Sequence, residues 1–215
     1  MLKDLDKKHG ASNRLLCVPC DVTQELQVKS AVDKCVERFG RIDVALSCAA
    51  IAIVSLTYSS KKSLDVRVFE KTMGINVRGS VLVAKYAAVA MSKQTPGAGG
   101  ERGVIIFTSS CQAAEAGRGQ LAYGASKGAI NALTLPMARD LGRYGIRVVT
   151  VQPGVFLTPM FEALGEEGKK AATRNTPQGR FGFHDEYSHM VCTIIQNGYI
   201  NGVALKVDGA TKIAL

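Results

Sequence analysis

The chain has 215 residues, 47% of them hydrophobic and 22 of them glycine, and reads as one globular α/β domain over residues 1–215 with ample material for a core. No apolar run reaches the ~18 residues of a membrane span, and the charged opening MLKDLDKKHG lacks the apolar segment of a secretory signal. The net charge of +9 is carried by single residues and pairs such as Lys61-Lys62, so there is no polybasic nucleic-acid arm; a solvated basic surface and attraction for anionic ligands, a nucleotide or a CoA thioester, both remain open.

Apolar runs alternate with helical patterns along the chain. RLLCVPCDV (14–22) predicts a strand. TQELQVKSAVDKCVERFG (23–40) predicts an amphipathic helix with Thr23 as N-cap and Gly40 at its end. RIDVALSCAA (41–50) predicts a strand, followed by a polar loop and a long helix over roughly 66–93. GVIIFTS begins a third strand at Gly103, and AYGASKGAINALTLPMARDL a helix rich in small residues. IRVVTVQPG (146–154) is again strand-like. The polar, Gly-rich stretch 157–183 is a candidate lid. A helix over 185–197 and a strand over 202–209 close the pattern. Such alternation implies a parallel sheet with helices on both faces, and in these sheets ligands bind beyond the carboxyl ends of the strands. Asp21, Ala49-Ala50, Ser110 and Pro153-Gly154 all follow strand-like runs and so converge on one edge.

Six cysteines show no disulfide framework, which suits a reducing compartment. Cys17-Val-Pro-Cys20 has no second pair to make a zinc site and reads as structural. His9, His184 and His189 are too scattered for a ligand set, and His189 reads as a helix-surface residue. No metal site is expected.

The chemistry-bearing set is Ser110, Tyr123 and Lys127, where a hydroxyl ends an apolar run and a Tyr-x-x-x-Lys pair follows thirteen residues later. Residues four apart share a helix face. A nearby ammonium favours the phenolate and lowers the tyrosine pKa, so the phenol can exchange a proton with a substrate oxygen that Ser110 holds. Chance produces such pairs too. Tyr58/Lys62 is a second instance, with Ala45 thirteen residues before it, and reads as surface. On spacing alone, catalytic and incidental readings of Tyr123/Lys127 both stand.

Taken together, these residues resemble the short-chain dehydrogenase/reductase family over essentially the whole chain. The resemblance implies a Rossmann-like doubly wound parallel sheet. It assigns Asp21-Val22 to adenine contact and Asn76, in GINVRG, to a water beside the catalytic lysine. It assigns Ser110, Tyr123 and Lys127 to catalysis, and Gln120 to substrate contact. Pro153-Gly154, Phe156 and Thr158 match the segment that holds the nicotinamide amide. Cys48, Ala49 and Ala50 stand where the family usually has Asn-Ala-Gly near the nicotinamide ribose, Ala50 replacing a glycine. Lys127 is implied to bind that ribose, and Asn76 with a water to relay protons from Lys127 to solvent.

The sequence contains no Thr-Gly-x-x-x-Gly-x-Gly turn, and MLKDLDKKHG aligns with the helix before the family's third strand. The expected fold therefore lacks the first strand–Gly-rich turn–helix unit, which leaves a strand edge open to aggregation. The acidic residue that selects NAD is absent with it, so NAD is implied by resemblance alone and NADP stays open. FGRIDVALSCAAIAIVSLTY and LPMARDLGRYGIRVVTVQPGVFLTPM are similar to a branch that oxidises 3-hydroxyacyl-CoA with NAD. That branch implies a homotetramer in the mitochondrial matrix (otherwise cytoplasmic), acceptance of steroids, and a methyltransferase partner in an RNA-processing complex. Three functions follow: a 3-hydroxyacyl-CoA dehydrogenase, a steroid or carbonyl reductase, or a catalytically impaired scaffold subunit.

Overall fold

A computed structural model describes residues 14–158, 162 and 165–212. The opening MLKDLDKKHG with His9, and parts of the 157–183 stretch, lie outside the described residues.

Helix α1 (Glu25–Phe39) leads to strand β1 (Val44–Ser47). Helix α2 (Val66–Met73) runs through a π-helical turn (Gly74–Gly79) directly into α3 (Ser80–Ser92). Strand β2 (Gly103–Thr108), helix α4 (Leu121–Gly142), strand β3 (Ile146–Pro153), helices α5 (Glu166–Thr173) and α6 (His184–Gln196), and strand β4 (Ala204–Val207) follow. The four strands lie in the order β1-β2-β3-β4, all pairs parallel.

Alternation along each strand sends side chains to opposite faces, and the sheet has a core on each. Ile105, Phe107 and Val148 face one side, where Ala84, Ala87 and Met91 of α3 and Ile130 and Ala138 of α4 cover them. Val32, Cys35 and Val36 of α1 pack at the border of this core. Val104, Ile106, Val149 and Val151 face the other side, under Val191 and Ile194 of α6. The expected doubly wound α/β arrangement is what forms. Burial on both faces explains why β2 and β3 read as continuous apolar runs rather than alternating ones.

Three expectations need correction. Residues 14–22 form no strand. An extended chain becomes a strand only by pairing, and among the described residues β1 is the sheet's edge, with nothing paired on its outer side. For the same reason Cys17 and Cys20 are exposed, not buried structural thiols. Thr23 does not cap α1: Gln24 takes that place without a side-chain bond, because the Thr23 hydroxyl and amide both donate to Asp21 Oδ1, at 2.8 and 2.9 Å. Gly40 does end α1, in the left-handed conformation at φ 81°. The 157–183 stretch carries the short helix α5. Tyr58 and His189 are exposed, as expected of surface residues.

Candidate active site

Strand register sets the site. Ser47 pairs with Phe107 and Thr108 with Val151, so β1, β2 and β3 release their chains at nearly one level. From that edge come Cys48–Ala50, Thr108–Ser110 and Pro153–Thr158.

Tyr123 and Lys127 lie one turn apart near the start of α4. The Lys127 ammonium sits 5.6 Å from the Tyr123 ring centroid. It donates to the Thr108 carbonyl at 2.7 Å and is almost wholly buried. Burial pushes its pKa from the usual 10.5 down to about 8. Ser110 is buried just past β2, where its hydroxyl accepts from the Gln112 amide at 3.1 Å. Burial also raises the Tyr123 pKa, and the hydrogen-bonding Ser110 hydroxyl partly opposes it. This reverses the direction expected from spacing. Lys127 commits a hydrogen bond to Thr108, and removing the phenol from water outweighs the cation's attraction for the phenolate.

Asn76, 2% exposed, sits in the π-helical turn. Its Nδ2 donates to the Ile51 carbonyl at 2.9 Å and to Ser126 Oγ at 3.0 Å, while its Oδ1 accepts from the Ile51 amide at 2.8 Å. Ser126 in turn donates to the Tyr123 carbonyl at 2.7 Å. Asn76 therefore clamps the chain leaving β1 to the turn of α4 that carries Tyr123 and Lys127. π turns often mark such sites. Ser109 holds the other end of that turn by donating to the Lys127 carbonyl at 2.9 Å.

The remaining expected positions fall around this centre. Cys48, Ala49 and Ala50 are exposed at the mouth, with Cys48 Sγ 3.2 Å from Thr108 Oγ1. The Asp21-Val22 loop is held to the π turn, since Val22 packs where a Gly79 Cβ would stand (2.7 Å). The Asp21 carboxyl is held below its usual pKa by its two Thr23 bonds. Gly154 admits no side chain, because a Cβ would lie 2.7 Å from the Asp208 Cα. Phe156 bridges to Gly182. Thr158 Oγ1 and Gln120 Oε1 are both buried without a hydrogen-bond partner. Gln120 also stands at the N-cap of α4 and bridges to Ser55.

The sequence reading missed Tyr187 of α6, whose hydroxyl lies 2.7 Å from Thr108 Oγ1 and whose ring meets Phe156 edge-on at 6.1 Å. No local pattern signals it. A cavity of about 250 Å³ opens beyond β3 and β4, lined by Gly154, Phe156, Arg180, Lys206 and Asp208. A larger groove of about 760 Å³ lies between α1 and α3, away from these groups. Among the described residues no group of His, Cys, Asp and Glu could hold a metal ion, and no helix is long and apolar enough to cross a membrane.

The Lys127 environment has a measurable consequence. The folded protein releases this proton near pH 8, whereas the unfolded chain keeps it to about 10.5. The unfolded state binds more protons in between, so Lys127 costs stability at neutral pH and the cost fades as pH rises. Thermal melts from neutral pH to about 10 should therefore show the wild-type Tm rising relative to Lys127→Met. A difference independent of pH would contradict the buried ammonium.

Known proteins resemble this chain in sequence and in fold. A family model described as enoyl-(acyl carrier protein) reductase matches residues 1–211. The mouse 3-hydroxyacyl-CoA dehydrogenase type-2 is 42% identical over 210 residues, covering 96% of this chain and 80% of the relative. The human protein of that name is 41% identical with the same coverage. A crystal structure of 3-hydroxyacyl-CoA dehydrogenase type-2 from Mycobacterium avium superimposes with a TM-score of 0.87 at 32% identity, covering 92% of this chain and 77% of that one. The chain belongs to the short-chain dehydrogenase/reductase family of oxidoreductases.

Proposed function

We propose that this protein oxidises the secondary alcohol of a 3-hydroxyacyl-CoA thioester to the ketone, with NAD as the preferred cofactor. The observation that carries the reading is the placement of half-buried Tyr123 and buried Lys127 one helical turn apart, with buried Ser110 against the phenol. The names of the relatives at 41–42% identity support the substrate class. The +9 charge favours anionic dinucleotide and CoA ligands over a neutral steroid.

In this reading Ser110 hydrogen-bonds the substrate oxygen, and Tyr123 takes its proton. The buried Lys127 ammonium steadies the phenolate form of Tyr123 that accepts this proton. Asn76, through Ser126, keeps the Tyr123 turn in place. The residues fit a nicotinamide dinucleotide: Thr158 offers a buried hydroxyl without a partner, Gly154 an approach free of side chain, and Lys127 a cation. Cys48–Ala50 and Asp21-Val22 complete the proposed cofactor wall. When bound, the nicotinamide supplies the hydride acceptor. A homotetramer in the mitochondrial matrix belongs to the same proposal.

The test is a titration of NADH and NADPH into the folded protein, following nicotinamide fluorescence and Tm, then turnover of 3-hydroxybutyryl-CoA. Saturable NADH binding with a raised Tm and CoA-thioester oxidation are expected. Tighter NADPH binding would reassign the cofactor. A monodisperse folded protein with neither binding nor turnover would overturn the reading.

A further inference from the structure

We infer that Tyr187 is a positioning residue that ties the Lys127 ammonium to the segment following β3. A run of contacts makes the link continuous. Lys127 Nζ donates to the Thr108 carbonyl at 2.7 Å. The Thr108 hydroxyl lies 2.7 Å from the Tyr187 hydroxyl and 3.2 Å from Cys48 Sγ. The Tyr187 ring stands edge-on to Phe156, and Phe156 bridges to Gly182 just before α6.

Thr108 is the last residue of β2. The end of a strand frays unless something holds it. Here one residue is gripped at both polar groups, its carbonyl by Lys127 and its hydroxyl by a phenol from the opposite face of the sheet. The Tyr187 ring packs in the α6-side core, which limits the positions its hydroxyl can take. A Thr108 carbonyl so fixed holds the ammonium in a defined place relative to Tyr123. The edge-on contact with Phe156 makes that placement sensitive to the 155–158 segment, on the cofactor side of the proposed site. This role rests on the function proposed above, but its first readout needs no turnover.

The ionisable groups facing Lys127 are Tyr123 on its own helix and the Cys48 thiol beyond β1, while Tyr187 of α6 reaches it only through Thr108. A hydrogen bond to the charged form favours that form. Loosening the carbonyl acceptor should thus lower the Lys127 titration midpoint further.

The decisive experiment is a ¹³Cε-lysine NMR titration of the unliganded wild type, Tyr187→Phe and Thr108→Val. Tyr187→Phe keeps the ring and its Phe156 contact, and Thr108→Val removes the same bond from its other end. In both variants the Lys127 midpoint is expected to fall. The double variant should shift no further than Thr108→Val alone, which already lacks the Tyr187 bond together with the Cys48 contact. In turnover, Tyr187→Phe should lower kcat about tenfold with little change in KM, as mispositioning does. If Tyr187→Phe is unstable, Thr108→Val alone decides through its midpoint. An unmoved midpoint in a folded variant overturns the inference. Failure of turnover in wild type with shifted midpoints would instead count against the proposed reaction.

Discussion

Tyr123→Phe is expected to lower kcat about 10²- to 10⁴-fold, the range set by loss of a positioned acid–base group. Its KM and Tm should stay close to wild type. The substitution removes one oxygen from a ring that keeps its place beneath the Lys127 ammonium. Ser110 loses a neighbour but keeps its bond from the Gln112 amide. Alcohol oxidation needs the phenolate, and burial holds Tyr123 as the phenol. Wild-type oxidation should therefore accelerate with rising pH up to about 8, where Lys127 gives up the charge that steadies the phenolate, and the variant's residual rate should lose that rise. Initial rates with 3-hydroxybutyryl-CoA across pH would measure both. A variant as active as wild type would remove Tyr123 from the chemistry and with it the proposed reaction.

Arg147→Met is expected to be the most destabilising change away from the site. Arg147, 5% exposed, is the second residue of β3, at the end of the sheet opposite the active site. Its Nη1 donates to the Ile194 and Ile200 carbonyls at 2.9 Å, and Nη2 donates to the Ile195 carbonyl at 3.3 Å. Nε bonds Glu101 at 2.9 Å. One guanidinium thus satisfies carbonyls that the last turn of α6 leaves free, where a cation is also favoured by the helix dipole. Methionine fills the volume but gives no donor. Buried unsatisfied carbonyls cost about 1–3 kcal/mol each, so a loss of about 3–5 kcal/mol follows, or a Tm lower by about 10 °C in a chain of this size. A drop under about 2 °C in thermal melts would show that water or a shifted α6 replaces the arginine.

What was legible in the sequence was local or periodic. Tyr123 and Lys127 share a face because four residues is about one helical turn, and no tertiary knowledge is needed to see it. The β/α alternation likewise declares a parallel sheet. The 14–22 run failed because apolar content marks what can be buried, while a strand also needs a neighbour to pair with, and none lies beside it among the described residues. The pKa order failed because spacing reports which groups are close but not how much water surrounds them. Tyr187 and Arg147 act on partners 79 and up to 53 positions away, and nothing near either residue in sequence marks it.

The π-helical turn fixes how long this helix can be. Thr72, Asn76, Ser80 and Ala84 are all buried, at three successive spacings of four. An α-helix completes three turns in roughly 11 residues, so a regular helix would carry Ala84 off the buried face. The turn at Gly74–Gly79 absorbs the surplus residue. That surplus keeps both Asn76 and Ala84 on the buried face. Deleting Val77, for instance, would restore a smoother helix and rotate everything before it by about a quarter turn, withdrawing either Asn76 or the Ala84–Met91 stripe from its partners. Substitutions can drift along this helix, but its length is locked, and shuffling of segments between relatives should respect that joint.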